Sequence, residues 1–197
     1  MFFGGIVVPK LRTVSPTEIG IQDVVVLPRT AHHDPRGFLV ETLRSDDTTV
    51  KGDTFAMSYL SLTVPGQMRD ADRWHVHQHQ VDRFVVLLGE MVLALYDARP
   101  RSPTEGRFTL ARMAGAEPTW NATRPRKKED ATTYLVTIPP QVYHCIGNLS
   151  QEPFLLQNYP TRLYDPADEG RVPFAELPIP AAGGLPFGWE RVEVVRP

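Results

Sequence analysis

Three histidines alternate in one short segment of the chain, at His75, His77 and His79. Side chains at i, i+2 and i+4 of an extended strand share a face, so these imidazoles can point to the same side. Asp82 has the wrong parity for that face, and a turn or bulge after His77 would be needed to bring its carboxylate inward. Imidazole titrates near neutral pH and also binds transition metals. The segment therefore predicts either proton transfer or metal binding, with His79 expected to face solvent or a neighbouring subunit.

The histidine segment has to be held by strands, and the composition of the chain favours them. Glycine and proline number 14 and 19 among 197 residues and are spread along the chain, which suits short strands joined by turns. Apolar segments predict strands over residues 23–27, 37–42, 54–64, 83–88, 91–97, 134–138, 142–148 and 153–159. A turn at Gly89-Glu90 predicts a hairpin of two strands that are apolar on both faces. We expect an all-β fold in which a second sheet or a partner subunit covers this hairpin.

Length and charge limit the number of domains and the kinds of partner. We expect one domain over residues 1–197, with a short N-terminal arm and an irregular tail over residues 166–197. A formal net charge of −2 gives no field to hold nucleic acid or an anionic membrane, so a small molecule is the expected partner. Cys145 is the only cysteine, and neither a membrane span nor a secretory signal is recognised, so we expect a cytoplasmic protein.

Two segments match the cupin signature motifs in order and spacing. The first is His75, one residue, His77, four residues, Asp82, six residues and Gly89; the second is Pro139, four residues, His144, three residues and Asn148. The chain is therefore similar to the cupins. This resemblance implies a cupin-type jelly roll, which is a double-stranded β-helix barrel.

A narrower resemblance covers roughly residues 20 to 175. It is carried by Asp34-Pro35-Arg36-Gly37-Phe38 with Glu41, Pro65-Gly66, Trp74-His75, Gln80, Asp82 and Phe84, the segment from Asp97 to Gly106, Ile138-Pro139, and Tyr164-Asp165-Pro166 with Asp168-Glu169. In the order and spacing of these residues, the chain resembles the dTDP-4-dehydrorhamnose 3,5-epimerases. It looks like a divergent member of that family.

The resemblance implies an enzyme that transfers protons. Family members remove a proton next to the 4-keto group of a nucleotide-linked 6-deoxy sugar and return it to the opposite face. They use a histidine base and a tyrosine acid, without a metal or other cofactor. His75 matches the base, and His144 matches a second histidine that can stabilise the enolate. Arg36 and Glu41 lie in the segment that contacts the nucleotide in the family.

Three positions depart from the family pattern. Either Arg69 or Arg73 could be the expected pyrophosphate ligand, because the segment before the base histidine differs from that of the family. Asn158 stands where the family has its acid tyrosine, so we treat it as a substrate-binding residue and consider Tyr143 and Tyr159 as replacement acids. The tail has no match to the stretch whose carboxylate orients the base.

Two other functions fit the same residues. In a metal-dependent cupin, one divalent transition-metal ion would be bound by His75, His77, Asp82 (or Gln80) and His144. The presence of His77 favours this alternative, because epimerase-like members tend to lack a second histidine there. A non-catalytic sugar-binding module would keep the barrel without the acid. We expect a homodimer, because family members pair through edge strands and the apolar hairpin needs cover.

Overall fold

The regular structure of the protein is almost entirely β-strand. The computed structural model describes residues 9–47, 55–116, 132–180 and 183–196, and within these ranges there is no α-helix. The strands are β1 (Leu11–Arg12), β2 (Val25–Asp34), β3 (Gly37–Val40), β4 (Tyr59–Thr63), β5 (Arg73–His77), β6 (Asp82–Leu88), β7 (Glu90–Asp97), β8 (Phe108–Ala114), β9 (Thr132–Ile138), β10 (Val142–Gly147), β11 (Phe154–Asn158), β12 (Glu169–Pro173) and β13 (Val192–Glu193). Short 3₁₀ helices span Pro16–Glu18, Phe174–Glu176 and Trp189–Arg191. No helix in this part of the chain is long and apolar enough to cross a membrane.

The strands form two large antiparallel sheets packed face to face. The first sheet has the order β12-β5-β10-β7-β8 and the second has the order β3-β2-β9-β6-β11-β4, while β1 and β13 form a separate parallel pair. The expected all-β jelly roll of cupin type is confirmed. The chain passes from the five-stranded to the six-stranded sheet between β5 and β6, so the expected turn after His77 is also present.

The hairpin predicted at Gly89-Glu90 is wrong. β6 pairs with β9 and β11 in one sheet, while β7 pairs with β8 and β10 in the other, so the two strands do not pair with each other. Gly89 has a φ of 75° and forms the corner at which the chain changes sheets. A short connection that contains glycine is compatible both with such a corner and with a hairpin turn. Only the pairing partners of the two flanking strands distinguish a corner from a hairpin.

The core has an inner and an outer part, and the outer part explains the two-sided apolar pattern of β7. Between the sheets, Phe84 and Leu156 of one sheet pack with Leu93 and Leu95 of the other. On the outer side of the five-stranded sheet, Trp74 is fully buried under aromatic residues of the tail.

The tail was expected to be irregular, yet it contributes β12, β13 and the outer cover. The ring centroids of Phe174 and Phe187 lie 5.2 and 5.3 Å from that of Trp74. Full burial of a phenylalanine side chain contributes about 1.5–3 kcal/mol to the free energy of folding. The cover on β7 is therefore this chain's own tail, and neither a further sheet nor a partner subunit is needed there.

Candidate functional site

A polar cavity of about 320 Å³ lies between the two large sheets. β5 and β10 are neighbours in the five-stranded sheet, and their register places His75 directly opposite His144. The two imidazole centroids are 5.0 Å apart. The six-stranded sheet supplies the facing wall through β4, β6 and β11. The polar residues that line the cavity are Tyr59, Ser61, Arg69, Asp70, His75, Asp82, His144 and Arg171.

His75 is held between a second histidine and a carboxylate. Its Nε2 lies 2.9 Å from Nε2 of His77, and its Nδ1 lies 3.7 Å from Oε1 of Glu169 on the adjacent β12. Burial lowers the pKa of His75 to about 3, and the charges of His144 and His77 act in the same direction. The imidazole is therefore neutral at pH 7 and has a lone pair that can accept a proton.

His77 lies behind His75, away from the cavity. The side-chain amide of Gln80 donates to Nε2 of His77 at 3.0 Å, so this nitrogen acts as an acceptor. The Nδ1 atom lies 3.3 Å from the buried carboxylate of Asp168, although the alignment is not that of a hydrogen bond. Burial lowers the pKa of His77. The lone pair of His77 Nε2 is therefore already engaged at the point where the two imidazoles meet.

His144 and Asp82 form a buried ion pair across the cavity floor. Nε2 of His144 lies 3.4 Å from Oδ2 of Asp82, and Nδ1 donates to the Val142 carbonyl at 3.1 Å. Burial alone would lower the pKa of His144, but the Asp82 carboxylate outweighs it and raises the pKa above 6.5. Burial would likewise raise the pKa of Asp82, yet the two histidines and Asn158 lower it to about 2. The carboxylate of Asp82 thus favours the protonated form of His144.

Asn158 is fully buried, and its side-chain amide is completely used by the protein. The amide nitrogen donates to Oδ1 of Asp82 at 2.8 Å and to the hydroxyl of Tyr59 at 2.9 Å. Its oxygen accepts the backbone N–H of Arg83 at 2.9 Å. Asn158 and Tyr59 are direct cross-strand partners on β11 and β4. Asn158 therefore positions its two neighbours and has no titratable proton of its own.

Two arginines reach the cavity. The guanidinium of Arg69 donates to the Thr63 hydroxyl at 3.1 Å and to the Leu62 carbonyl at 2.6 Å, and no carboxylate of the described residues forms an ion pair with it. Arg171 is paired with Glu169 at 2.6 Å and with Asp70 at 3.1 Å. The charge of Arg69 is thus the one left available for an anionic ligand.

Several residues predicted to contact the substrate lie elsewhere on this chain. Arg36, Glu41 and Arg73 do not line the cavity, and each forms an exposed ion pair with a residue close in sequence, namely Asp34, Arg44 and Asp72 respectively. Of the two arginines proposed for the pyrophosphate, the structure places Arg69 at the cavity.

The two tyrosines considered as replacement acids also lie outside the cavity. Tyr143 packs against the outer aromatic cluster. The hydroxyl oxygen of Tyr159 forms a hydrogen bond with the hydroxyl oxygen of Thr42, at a distance of 2.5 Å. Neither hydroxyl is directed at the space between His75 and the facing sheet.

Sequence reasoning missed Tyr59, Glu169 and Arg171. Glu169 had a signal, because it lies in the Asp168-Glu169 pair that contributed to the family resemblance. Its strand, β12, has no apolar alternation, so it was not predicted. The register of β12 on β5 brings Glu169 beside the histidines and gives His75 a carboxylate partner from a part of the tail that was not considered for this role.

The cavity also contains a set of possible metal ligands. One ligand atom from each of His75, Asp82 and His144 lies within 4.8 Å of the others. Two imidazoles and a carboxylate suit a divalent ion such as iron or manganese and leave coordination positions open. This donor set fits a transition metal, and His77 stands next to it.

Comparison with known proteins gives the family. No protein-family model matches the chain. The chain is 35% identical over 157 residues to a probable low-salt glycan biosynthesis epimerase, Agl13, of Haloferax volcanii, covering 78% of this chain and 88% of that protein. The structure of this chain is similar to that of a dTDP sugar isomerase from Desulfovibrio desulfuricans G20. The TM-score is 0.65, and the two sequences are 24% identical over 86% of this chain and 92% of the other.

A further similar structure is the dTDP-6-deoxy-D-glucose-3,5-epimerase of Legionella pneumophila in complex with dTDP-4-keto-L-rhamnose, with a TM-score of 0.64 and 23% identity over 89% of this chain and 85% of the other. The two-sheet barrel and its histidine-lined cavity define a protein of the cupin type. The chain belongs to the dTDP-4-dehydrorhamnose 3,5-epimerase family, of which it is a divergent member.

Proposed function

We propose that the protein is an epimerase that acts on a nucleotide-linked 4-keto-6-deoxy sugar by proton transfer through His75. The observation that carries this proposal is the pair of facing histidines in the cavity: burial lowers the pKa of His75, whereas the Asp82 carboxylate raises the pKa of His144. The names of its relatives support the substrate class, because one is an epimerase of glycan biosynthesis and another was solved with a dTDP-linked 4-keto sugar.

The geometry supports a two-histidine mechanism for proton removal. A carbonyl group acidifies the C–H bond beside it, and the lone pair of His75 accepts that proton. The C–H electron pair then forms the double bond of the enolate, and negative charge develops on the carbonyl oxygen. His144, whose pKa the Asp82 carboxylate raises, faces this oxygen and stabilises the charge in its protonated form. Oε1 of Glu169, which is also paired with Arg171, lies 3.7 Å from Nδ1 of His75 and faces the cation that forms there.

The nucleotide would be held through its diphosphate. Arg69 supplies the available positive charge at the cavity, and a guanidinium can bind phosphate oxygens through two N–H groups. We assign the diphosphate to Arg69 in preference to Arg73, whose charge is already paired with Asp72 in solvent. The proposal requires no cofactor, and its partner is a small-molecule nucleotide sugar.

Solvent deuterium exchange tests the proposal directly. Purified protein is incubated in D₂O with 4-keto-6-deoxy sugars linked to dTDP, UDP, GDP and CDP, and deuterium uptake next to the keto group is measured by mass spectrometry and NMR. The wild-type protein should catalyse exchange with at least one of them. His75→Asn should reduce the rate at least about a hundredfold, because general-base catalysis contributes that much.

His79→Asn is the matched control, because it changes an exposed histidine only four residues away that does not line the cavity. It should exchange at the wild-type rate. Absence of exchange with every nucleotide sugar would contradict the epimerase. Tight binding without exchange would favour the non-catalytic sugar-binding module instead.

A metal-dependent enzyme is the second candidate, and the clustering of three ligand atoms from His75, Asp82 and His144 favours it. Elemental analysis of the purified protein tests it. About one transition-metal ion per chain, lost on His144→Ala, would support this function and make His75 a ligand instead of a base. Protein that stays metal-free after incubation with iron, manganese, nickel and zinc would contradict it.

A further inference from the structure

Epimerisation needs a proton donor on the face of the sugar opposite to the base, and this inference rests on the proposed function. His75 and His144 lie on neighbouring strands, so both approach the cavity from the five-stranded sheet. A sugar ring bound between the sheets presents its other face to the six-stranded sheet. The missing donor is therefore expected on β4, β6 or β11.

Three polar side chains of the six-stranded sheet line the cavity among the described residues: Tyr59, Ser61 and Asp82. The carboxylate of Asp82 is used as an acceptor: its Oδ1 accepts N–H groups from Gln80 and Asn158, and its Oδ2 lies 3.4 Å from Nε2 of His144. The alcohol of Ser61 is a much weaker acid than a phenol. Burial raises the pKa of Tyr59 above 10, so its hydroxyl keeps a proton to donate.

The hydrogen bond from Asn158 prepares Tyr59 for this role. Because the amide of Asn158 donates to the Tyr59 oxygen at 2.9 Å, the hydroxyl hydrogen of Tyr59 is free to point to another acceptor. The same hydrogen bond stabilises the phenolate that remains after the proton has left. The positive charge of Arg69 acts in the same direction.

We propose that Tyr59 is the general acid of the epimerisation and delivers its phenolic proton to the face of the sugar opposite to His75. The Tyr59 O–H bond breaks and its electron pair stays on the oxygen. The double bond of the enolate supplies the pair for the new C–H bond, and the carbonyl group re-forms. Water then takes the proton held by His75 and returns one to the phenolate, so that both residues regain their starting states.

Tyr59→Phe separates proton removal from proton return. With the nucleotide sugar that the wild-type protein exchanges, this variant should still incorporate deuterium into unepimerised substrate, because His75 can remove a proton and return a deuteron to the same face. Formation of the epimer should fall at least about a hundredfold. Tyr143→Phe is the matched control, since that ring packs in the outer aromatic cluster, and it should leave both rates unchanged.

Two results would overturn the role of Tyr59. One is a Tyr59→Phe variant that forms the epimer at more than half the wild-type rate. The other is loss of exchange together with product in a variant whose circular dichroism and binding of dTDP match the wild type, because Tyr59 would then act in proton removal.

A fluorotyrosine at position 59 covers the case of a phenylalanine variant that does not fold. The fluorinated phenol is a stronger acid of almost the same size, so the ratio of epimer to exchanged substrate should change while total exchange stays constant. An unchanged ratio would overturn the inference. The inference and the proposed function can be contradicted separately. A wild-type protein that catalyses no exchange would contradict the proposed function. A Tyr59→Phe variant that still forms the epimer, beside a His75→Asn variant that does not, would contradict only the role of Tyr59 as the acid.

Discussion

At the residue scale, the pair of His144 and Asp82 sets the charges of the cavity. The pKa of His144 is raised in the folded protein, so its stabilising contribution is fully present below pH 6.5 and is lost as the pH rises through the raised value. The pKa of Asp82 is lowered to about 2, so its contribution is present above 3.8 and is lost as the pH falls towards 2. At pH values above the lowered pKa of Asp82 and below the raised pKa of His144, both partners are charged.

This coupling predicts the titration of His144. In Asp82→Asn the carboxylate is gone and burial dominates, so the pKa of His144 should fall below its ordinary value of 6.5. The measurement is the pH dependence of the His144 ring resonances by NMR. Asp168→Asn is the control, since Asp168 faces His77 and should leave the titration of His144 in place. Equal pKa values in wild type and Asp82→Asn would contradict the ion pair.

His75 should not produce the acidic limb that an ordinary histidine base gives near pH 6.5. Its pKa is lowered to about 3, so it stays neutral through the mildly acidic range. The exchange rate should fall instead on the alkaline side, as His144 loses its proton. A rate profile from pH 5 to 9 checks both statements, and a rate that drops as the pH is lowered from 7 to 6 would contradict the first.

Sequence reasoning found the histidines because their spacing is local. His75 and His144 were recognisable from two short motifs, and the structure places them together. Tyr59 and Glu169 could not be found in this way, because each reaches the cavity only through the register of its strand on a neighbour distant in sequence. For the same reason, the sequence did not indicate which of Arg69 and Arg73 reaches the cavity, and the three-dimensional structure was needed to distinguish them.

At the element scale, the corner at Gly89 holds the two sheets in their relative positions. A Cβ atom there would lie 2.2 Å from the carbonyl oxygen of Pro153 and 2.8 Å from Cα of Phe154. Its φ of 75° is also unfavourable for any residue with a side chain. The backbone of β11 therefore passes too close to this corner to admit a larger residue.

Gly89→Ala and Gly66→Ala form a matched pair for this corner. Gly66 has a φ of 73°, and a Cβ atom there would meet nothing within 4 Å. We expect Gly66→Ala to lower the free energy of unfolding by about 1–2 kcal/mol through backbone strain alone. Gly89→Ala should lower it by about 3 kcal/mol or more, since the clash adds to the strain. Urea denaturation measures both, and equal losses would contradict the close approach.

The strands themselves were largely predictable, although their partners were not. Apolar segments located β6, β7, β9, β10 and β11 to within a few residues. The sequence Glu-Gly-Arg-Val-Pro of β12 lacks any such pattern and forms a strand because it pairs with β5. The two apolar faces of β7 were recognised, but their cover lies about a hundred residues further along the chain, and local pattern does not indicate which distant segment supplies it.

At the scale of the whole molecule, the position of Arg36 and Glu41 bears on the proposed homodimer. Both are exposed on this chain and away from its cavity. A nucleotide contact from them would be possible if a second copy presented them to the cavity. Both edge strands of the six-stranded sheet also expose leucines, with Leu39 62% and Leu60 57% accessible, which suits pairing between copies.

Subunit complementation tests this arrangement. We expect Arg36→Ala and His75→Asn to be inactive alone and to regain activity when unfolded and refolded together. Half of the dimers would be mixed and one of their two sites would be intact, which gives about a quarter of the wild-type rate. Light scattering checks that the protein is a dimer. A mixture that stays inactive, or a monomeric wild-type protein, would contradict a shared site.

The pairing of Tyr59 with Asn158 bears on how function is inferred across this family. The two side chains are cross-strand partners and meet at one point in the cavity, although about a hundred residues separate them in sequence. A hydroxyl carried by either strand would therefore reach nearly the same place in the cavity. An alignment that seeks a tyrosine only at the position of Asn158 would class this chain as lacking the acid, whatever the role of Tyr59. Comparison of side-chain positions in space would not.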